Sequence, residues 1–213
     1  MTEFMAQYFQ IHPDNPQPRL IKRAVEILER GGVIVLPTDS SYALACRIDD
    51  KRALERIRQI RRLGDKHNFT LLCSDLSQVS QFVRLTNEAH RLIKALTPGP
   101  YTFVLRATKE VPRRLQHPSR KTVGIRVPDN TVCQALLAEL GAPLFSTTLI
   151  LPGQERALEE AEEIRDRLEK VVDLVIDSGP IPYQPTTVIL LTEEIPEVVR
   201  WGKGREKLET LLA

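Results

Sequence analysis

The hydrophobic positions of this chain switch repeatedly between the spacing of a helix and the spacing of a buried strand. Leu20, Ile21, Ala24, Val25, Ile27 and Leu28 recur at helical intervals, and Gly31-Gly32 supplies the stop. Val33-Ile34-Val35-Leu36 is a continuous apolar run broken by Pro37, the pattern of a strand covered on both faces. The same reading predicts a helix around 52–61, a strand at 69–73, and helices near 76–82 and 88–96. It continues with strands at 101–105 and 122–127, a helix over 131–140 ending at Gly141, and a short strand at 143–148. An acidic helix comes next, then strands at 171–176 and 187–191, an edge strand around Val198-Val199 and a last helix over 205–212. Alternation of this kind predicts one α/β domain over residues 1–213, built on a twisted, open, mixed β-sheet with flanking helices.

Composition narrows the class. The chain has 213 residues, of which 42% are hydrophobic and 27% charged, so it is long enough and apolar enough for a full core. No apolar run approaches the roughly 20 residues of a membrane span, and the acid- and proline-bearing start does not resemble a signal peptide. The three cysteines, Cys46, Cys73 and Cys133, have neither C-x-x-C spacing nor a metal-ligand pattern. The expectation is a cytoplasmic protein with reduced, mostly buried thiols and no resident metal.

A net charge of +2 conceals an uneven distribution. Residues 51–66 carry seven basic and two acidic side chains, and residues 106–126 carry seven basic against Glu110 alone. Residues 154–170 reverse the balance, with seven acids against four bases, and read as an exposed helix laced with i,i+4 pairs. If the two basic stretches converge, they form a cationic concave face suited to phosphates of a nucleotide or of RNA.

The familiar phosphate motifs are missing. Neither G-x-x-x-x-G-K-[ST] nor G-x-G-x-x-G occurs, and G-x-S-x-G is absent as well. What remains is a set of polar clusters at the ends of apolar strands: Thr38-Asp39-Ser40-Ser41, Arg126, Ser146-Thr147-Thr148 and Pro185-Thr186-Thr187. Each alone reads as turn chemistry, although ligands collect at strand ends in open α/β sheets. His12, His90 and His117 fall in no cluster and read as surface residues.

Together the clusters resemble the YrdC family of threonylcarbamoyl-AMP synthases. Pro37-Thr38-Asp39-Ser40-Ser41-Tyr42-Ala43-Leu44 is similar to its P-T-[ED]-T-x-Y-G-L motif, and Arg62 with His67-Asn68 to its R-x-x-x-x-H-[NP] loop. Pro98-Gly99-Pro100-Tyr101-Thr102-Phe103-Val104-Leu105 resembles P-G-P-x-T-[FL]-V-L, and Thr122-Val123-Gly124-Ile125-Arg126-Val127-Pro128 resembles T-V-[AG]-[IV]-R-x-P. Pro143-Leu144-Phe145-Ser146-Thr147-Thr148, Pro185-Thr186-Thr187-Val188 and Arg200-Trp201-Gly202 are similar to three later elements, so the resemblance runs in order from about residue 19 to 202.

The resemblance implies a YrdC-like fold with a basic concave face. The reaction it implies joins L-threonine, bicarbonate and ATP, with Mg²⁺ arriving on the nucleotide, into threonylcarbamoyl-AMP and pyrophosphate. A downstream protein would then use the product to modify tRNA. By position, Thr38, His67, Arg126, Thr148 and Thr186 would line the threonine pocket. Arg58, Arg62, Thr122, Ser146 and Arg200 would face the nucleotide. Catalysis would be by positioning and charge stabilisation, with no protein nucleophile or general base.

The sequence departs from the family at its phosphate signature, K-x-R followed by S-x-N. Ile60 stands at the lysine, Thr148 at the serine and Ile150 at the asparagine, while Ala43 and Ala45 replace two glycines. This pattern is similar to the YciO branch of the family. It leaves open weak synthase activity, binding of double-stranded RNA or tRNA through phosphate contacts, or carbamoyl-adenylate chemistry on another amine in a pocket reshaped by Ile150 and Ala43.

Overall fold

Val33 and Val35 enter one hydrophobic core while Ile34 and Leu36 enter another, because successive residues of a strand face opposite sides of the sheet. Tyr42, Leu44 and Cys46 against Ala43 and Ala45 repeat the division one strand further on. The computed structural model describes residues 4–64, 67 and 69–213. Asn68 of the His67-Asn68 motif, Asp65 and Lys66 at the end of the first basic stretch, and residues 1–3 lie outside the described residues.

In chain order the elements are β1 (Gln7–Gln10), α1 (Pro18–Glu29), β2 (Ile34–Pro37), β3 (Tyr42–Arg47), α2 (Lys51–Arg61) and β4 (Thr70–Leu72). Next come α3 (Leu76–Phe82), α4 (Asn87–Leu96), β5 (Tyr101–Arg106), a 3-10 turn at Arg113–Leu115, β6 (Thr122–Arg126) and α5 (Thr131–Leu140). The chain closes with β7 (Leu144–Thr148), α6 (Ala161–Leu168), β8 (Leu174–Asp177), β9 (Thr187–Leu190), β10 (Glu197–Arg200) and α7 (Arg205–Leu212). The strands form a single α/β domain around one mixed ten-stranded sheet in the order β1-β8-β2-β3-β7-β4-β6-β5-β9-β10. No helix among the described residues is long and apolar enough to cross a membrane.

Helices α2, α3, α4, α6 and α7 bury their apolar residues on one face of the sheet. Helices α1 and α5 cover the other, through Ile21, Ala24, Val25 and Leu28 against Val132, Cys133, Leu136 and Leu137. Their cover extends only as far as Leu144 and Leu72. Beyond it the same face continues with Ser146, Thr70, Gly124 and Val104, which stand in register on four adjacent strands. Polar and small residues in the alternating positions of β4 to β7 therefore mark the half of the sheet that no helix covers.

Three expectations need correction. The acidic stretch is helical only from Ala161, whose turn onward buries Ile164 and Leu168. Glu159 falls in the preceding loop, where its carboxylate accepts from the Tyr183 amide instead of facing solvent along a helix. Two strands escape the periodicity, β1 at one sheet edge and β3 at its centre. Ala43 is fully buried between the sheet and α1, so it reshapes no pocket.

Candidate functional site

The uncovered half of the sheet forms the floor of a cavity of about 430 Å³, within the usual size range of small-molecule sites. Its walls come from strand ends and loops that are remote in sequence. The β2–β3 turn supplies Ser40, the end of α2 supplies Arg61, and β6 supplies Gly124 and Arg126. Ser146, Thr147, Thr148 and Ile150 enter from β7 and its exit, and Tyr183, Pro185, Thr186 and Val188 from the approach to β9. Arg200, His67, Thr70, Thr102 and Val104 complete the lining, which contains no carboxylate among the described residues.

Gly124 lies at the middle of the floor for a steric reason. A Cβ there would meet Thr70 Oγ1 at 2.8 Å and the Phe69 carbonyl at 3.1 Å. The next inward residue on β6, Arg126, is 6% exposed and forms an ion pair with Asp39, Nη2 to Oδ1 at 2.5 Å. The second carboxylate oxygen of Asp39 accepts from the Asp129 amide at 2.9 Å, and its carbonyl accepts from Lys203 Nζ. Asp39 thus fixes one edge of the guanidinium, while Arg126 Nε is buried with no partner among the described residues.

Arg61 repeats this arrangement from the opposite wall. Its Nη1 donates to Thr147 Oγ1 and to the Thr148 carbonyl, the latter at 2.6 Å, while its Nε is buried without a partner among the described residues. Burial lowers the Arg61 pKa below the ordinary arginine value. Burial followed by the charge of Arg61 lowers the His67 pKa below 6.5, so its imidazole is neutral at pH 7. Arg200 is an exposed residue, but its guanidinium donates to the Thr186 carbonyl at 2.9 Å and to Thr186 Oγ1 at 3.0 Å. Desolvation lowers its pKa, with the charge of Arg126 adding to the effect. Three guanidiniums, two of them with an unused buried donor, face a cavity with no acid in its wall. Such a wall is complementary to an anion with several acceptor oxygens.

Of the residues singled out from sequence, the cavity brings together His67, Arg126, Ser146, Thr148, Thr186 and Arg200. Four others lie off its lining. Thr38 is buried in the β2–β3 turn, where its hydroxyl donates to the Ser41 carbonyl at 2.7 Å and accepts from the amides of Ser40 and Ser41. Thr122 is buried at the start of β6, opposite Arg106. Arg58 stacks over Phe69, 5.6 Å from the ring centroid. Arg62 is exposed, because it closes α2 in the left-handed region at φ 53°. The cation that α2 delivers is Arg61, between two arginines of equal chemical plausibility. Ile60 packs against the main core, and Ile150 stands in the cavity wall. Ser40, Thr70, Thr102 and Tyr183 are lining residues that the motif reading did not assign to the site. The period-2 positions of Thr70 and Thr102 on their strands are the sequence signal for those two; Tyr183 has none.

Among the described residues there is no group of three or more His, Cys, Asp or Glu side chains able to hold a metal ion. The three thiols are free and buried.

A family model named for Sua5, YciO and YrdC, and described as telomere recombination, matches residues 26–202. The "uncharacterized protein YciO" of Escherichia coli K12 is 59% identical over 203 residues, covering 95% of this chain and 98% of that protein. The crystal structure of E. coli YciO superposes with a TM-score of 0.90 at 60% identity, covering 93% of this chain and 96% of the other. A threonylcarbamoyl-AMP synthase of Vibrio vulnificus is 30% identical over 159 residues, 73% of this chain and 84% of that enzyme. Sua5 of P. abyssi, crystallised with L-threonine, shares the fold with a TM-score of 0.88 at 23% identity, over 97% of this chain and 61% of its own. By its sequence and by its fold, the chain belongs to the Sua5/YciO/YrdC family.

Proposed function

We propose that this protein is a threonylcarbamoyl-AMP synthase-like nucleotidyltransferase of the cytoplasm. It would join L-threonine, bicarbonate and ATP and release pyrophosphate, and a separate protein would carry the product to tRNA. The observation that carries this reading is the acid-free cavity wall, in which Arg61, Arg126 and Arg200 stand among seven serine and threonine hydroxyls. The V. vulnificus relative supports it as an enzyme of that name.

In this reading the free edge of Arg126 receives the amino-acid carboxylate, and Thr148 and Thr186 receive its polar side chain. Arg61 and Arg200, with Ser146, hold the phosphates; Arg61 takes the part that sequence alone gave to Arg58 and Arg62. Thr38 and Thr122 act from behind, by shaping the turn and the strand that carry the wall. Mg²⁺ would be held by phosphate oxygens and water, since the wall offers it no carboxylate. The chain's own contribution is alignment and charge neutralisation. The substrate amine attacks bicarbonate to give a carbamate with loss of water. The carbamate oxygen then attacks the α-phosphorus and expels pyrophosphate. Neutral His67 stands at the wall as a hydrogen-bonding group for the amino acid, and no side chain is needed as a base.

The test is pyrophosphate release from ATP with bicarbonate, screened across the amino acids. Release that requires both bicarbonate and L-threonine is the expected result. Release with a different amine would reassign the substrate to the space bounded by Ile150, Val104 and Val188. Release that needs no amine would sink the synthase reading, and no release with any amine would sink the enzymatic one.

One contact favours a second reading. Arg114 Nη2 donates to the Ile48 carbonyl at 3.4 Å, which brings the second basic stretch beside the start of α2 and hence the first. A phosphate-binding surface for double-stranded RNA would follow, with affinity that falls steeply as salt rises. Tight, salt-dependent duplex binding by a protein inert in the pyrophosphate assay would select this reading.

A further inference from the structure

Tyr183 lines the cavity from the 178–186 segment between β8 and β9, and that segment is tied down along its length. The buried Tyr42 hydroxyl donates to the Gly179 carbonyl at 2.6 Å and accepts from the Ser178 amide at 3.1 Å. Further on, the Gln184 amide donates to the Ser40 carbonyl at 3.0 Å.

Between these anchors the loop after β7 grips Tyr183 itself. Its amide donates to Glu159 Oε2 at 2.6 Å, and its carbonyl accepts from Arg156 Nη2 at 3.4 Å. The Arg156 guanidinium also lies over its ring, 5.3 Å from the centroid, and pairs with Glu159 at 3.9 Å. Both backbone polar groups of Tyr183 and one face of its ring are therefore occupied by one loop. The phenol remains as its polar group for the cavity, whose lining also holds Arg61 and Arg200. One cavity lining thus holds two cations, from α2 and β10, and one neutral donor. A carboxylate presents only two oxygens, whereas a phosphoryl chain presents enough acceptors for all three.

We infer that Tyr183 is a ligand-binding residue whose hydroxyl donates to a polyphosphate held between Arg61 and Arg200, and that Arg156 and Glu159 are positioning residues acting through it. The inference rests on the nucleotide half of the proposed function and adds to it a third donor and the loop that sets its place.

Calorimetric titration of the full chain with pyrophosphate, and separately with L-threonine, tests it. Tyr183→Phe is expected to weaken pyrophosphate binding by about three- to tenfold, the worth of one hydrogen bond. L-threonine affinity and the melting midpoint should stay at wild-type values. Arg156→Ala and Glu159→Ala should weaken pyrophosphate binding less, and Glu159→Gln, which keeps an acceptor for the Tyr183 amide, should restore it. The decisive arm is the double variant: Arg156→Ala should have no further effect in the Tyr183→Phe background, whereas a merely structural arginine would retain its own. Wild-type affinity in Tyr183→Phe, or full additivity in the double variant, overturns the inference while leaving the nucleotide reading intact. A wild-type protein that binds no pyrophosphate overturns the nucleotide reading, and this inference with it.

Discussion

Asp39 and Arg126 are joined at 2.5 Å with each side chain only 7% exposed, so the residue best suited to hold a substrate carboxylate already holds one of the protein's own. The pair answers two questions about Arg126 together. It forms a structural ion pair at the sheet rim, and it is also a residue of the cavity lining.

Arg126→Ala therefore removes more than a binding group. It leaves Asp39 buried and unpaired, which costs about 3–5 kcal/mol. We expect a lowered urea midpoint and loss of L-threonine binding together. In the double variant Asp39→Asn with Arg126→Gln, most of the midpoint should return while binding stays lost. A wild-type midpoint in Arg126→Ala would show that the pair contributes nothing to stability.

The incomplete phosphate signature separates into two unequal positions. Ile150 stands in the cavity wall, so Ile150→Asn restores an amide where a ligand can use it. Pyrophosphate release should rise about three- to tenfold, as expected for one or two hydrogen bonds. Ile60 packs against the core, and Ile60→Lys should lower the melting midpoint without raising the rate. The opposite ranking would mean that α2 turns its Ile60 side to the ligand.

His67 supplies a pH dependence of defined sign. Its pKa in the fold lies below the ordinary 6.5, first through burial and then through Arg61. Below about pH 6.5 the unfolded chain takes up the proton before the folded one does, so stability falls on acidification and levels off below the folded pKa. His67→Gln should flatten that part of the profile. Sulfate, which does not titrate in this range, should bind more tightly as pH falls in the wild type but not in the variant. A profile unchanged by the substitution would exclude His67 as the responsible group.

The thiols should be inert until the chain unfolds. All three are buried, and burial raises the pKa of Cys46 and Cys73 and pushes that of Cys133 up to about 12. Titration with a thiol-specific disulfide reagent should detect no reactive cysteine in native protein and three in denaturant. Rapid labelling of native protein would place at least one thiol at the surface.

Much of this architecture is legible in the sequence, where local signals agree with tertiary packing. The helix over Thr131–Leu140 has an Asn130 cap and Gly141 at its end, and the strand at Thr122 starts where its pattern predicts. β3 is not legible, because Tyr-Ala-Leu-Ala-Cys-Arg carries no β-branched residue and its two alanines suit a helix equally well. β1 is four residues at an edge, too short for a period to show. At the site, the strand-end hydroxyls and Arg126 are readable from their motifs. The choice of Arg61 over Arg62 is decided by where α2 closes, and Tyr183 by contacts with a loop about two dozen residues away in sequence. Neither leaves a local mark.

The wall formed by Tyr183, Thr186 and Arg200, together with the Lys203 contact to the Asp39 carbonyl, comes from a stretch translated after every other part of the cavity. Floor strand β5 also pairs with β9 from this same stretch, so floor and wall close together late in synthesis. On the proposed function, a chain stopped before residue 183 lacks Tyr183, Thr186 and Arg200, and it is expected to bind pyrophosphate more weakly than the whole chain.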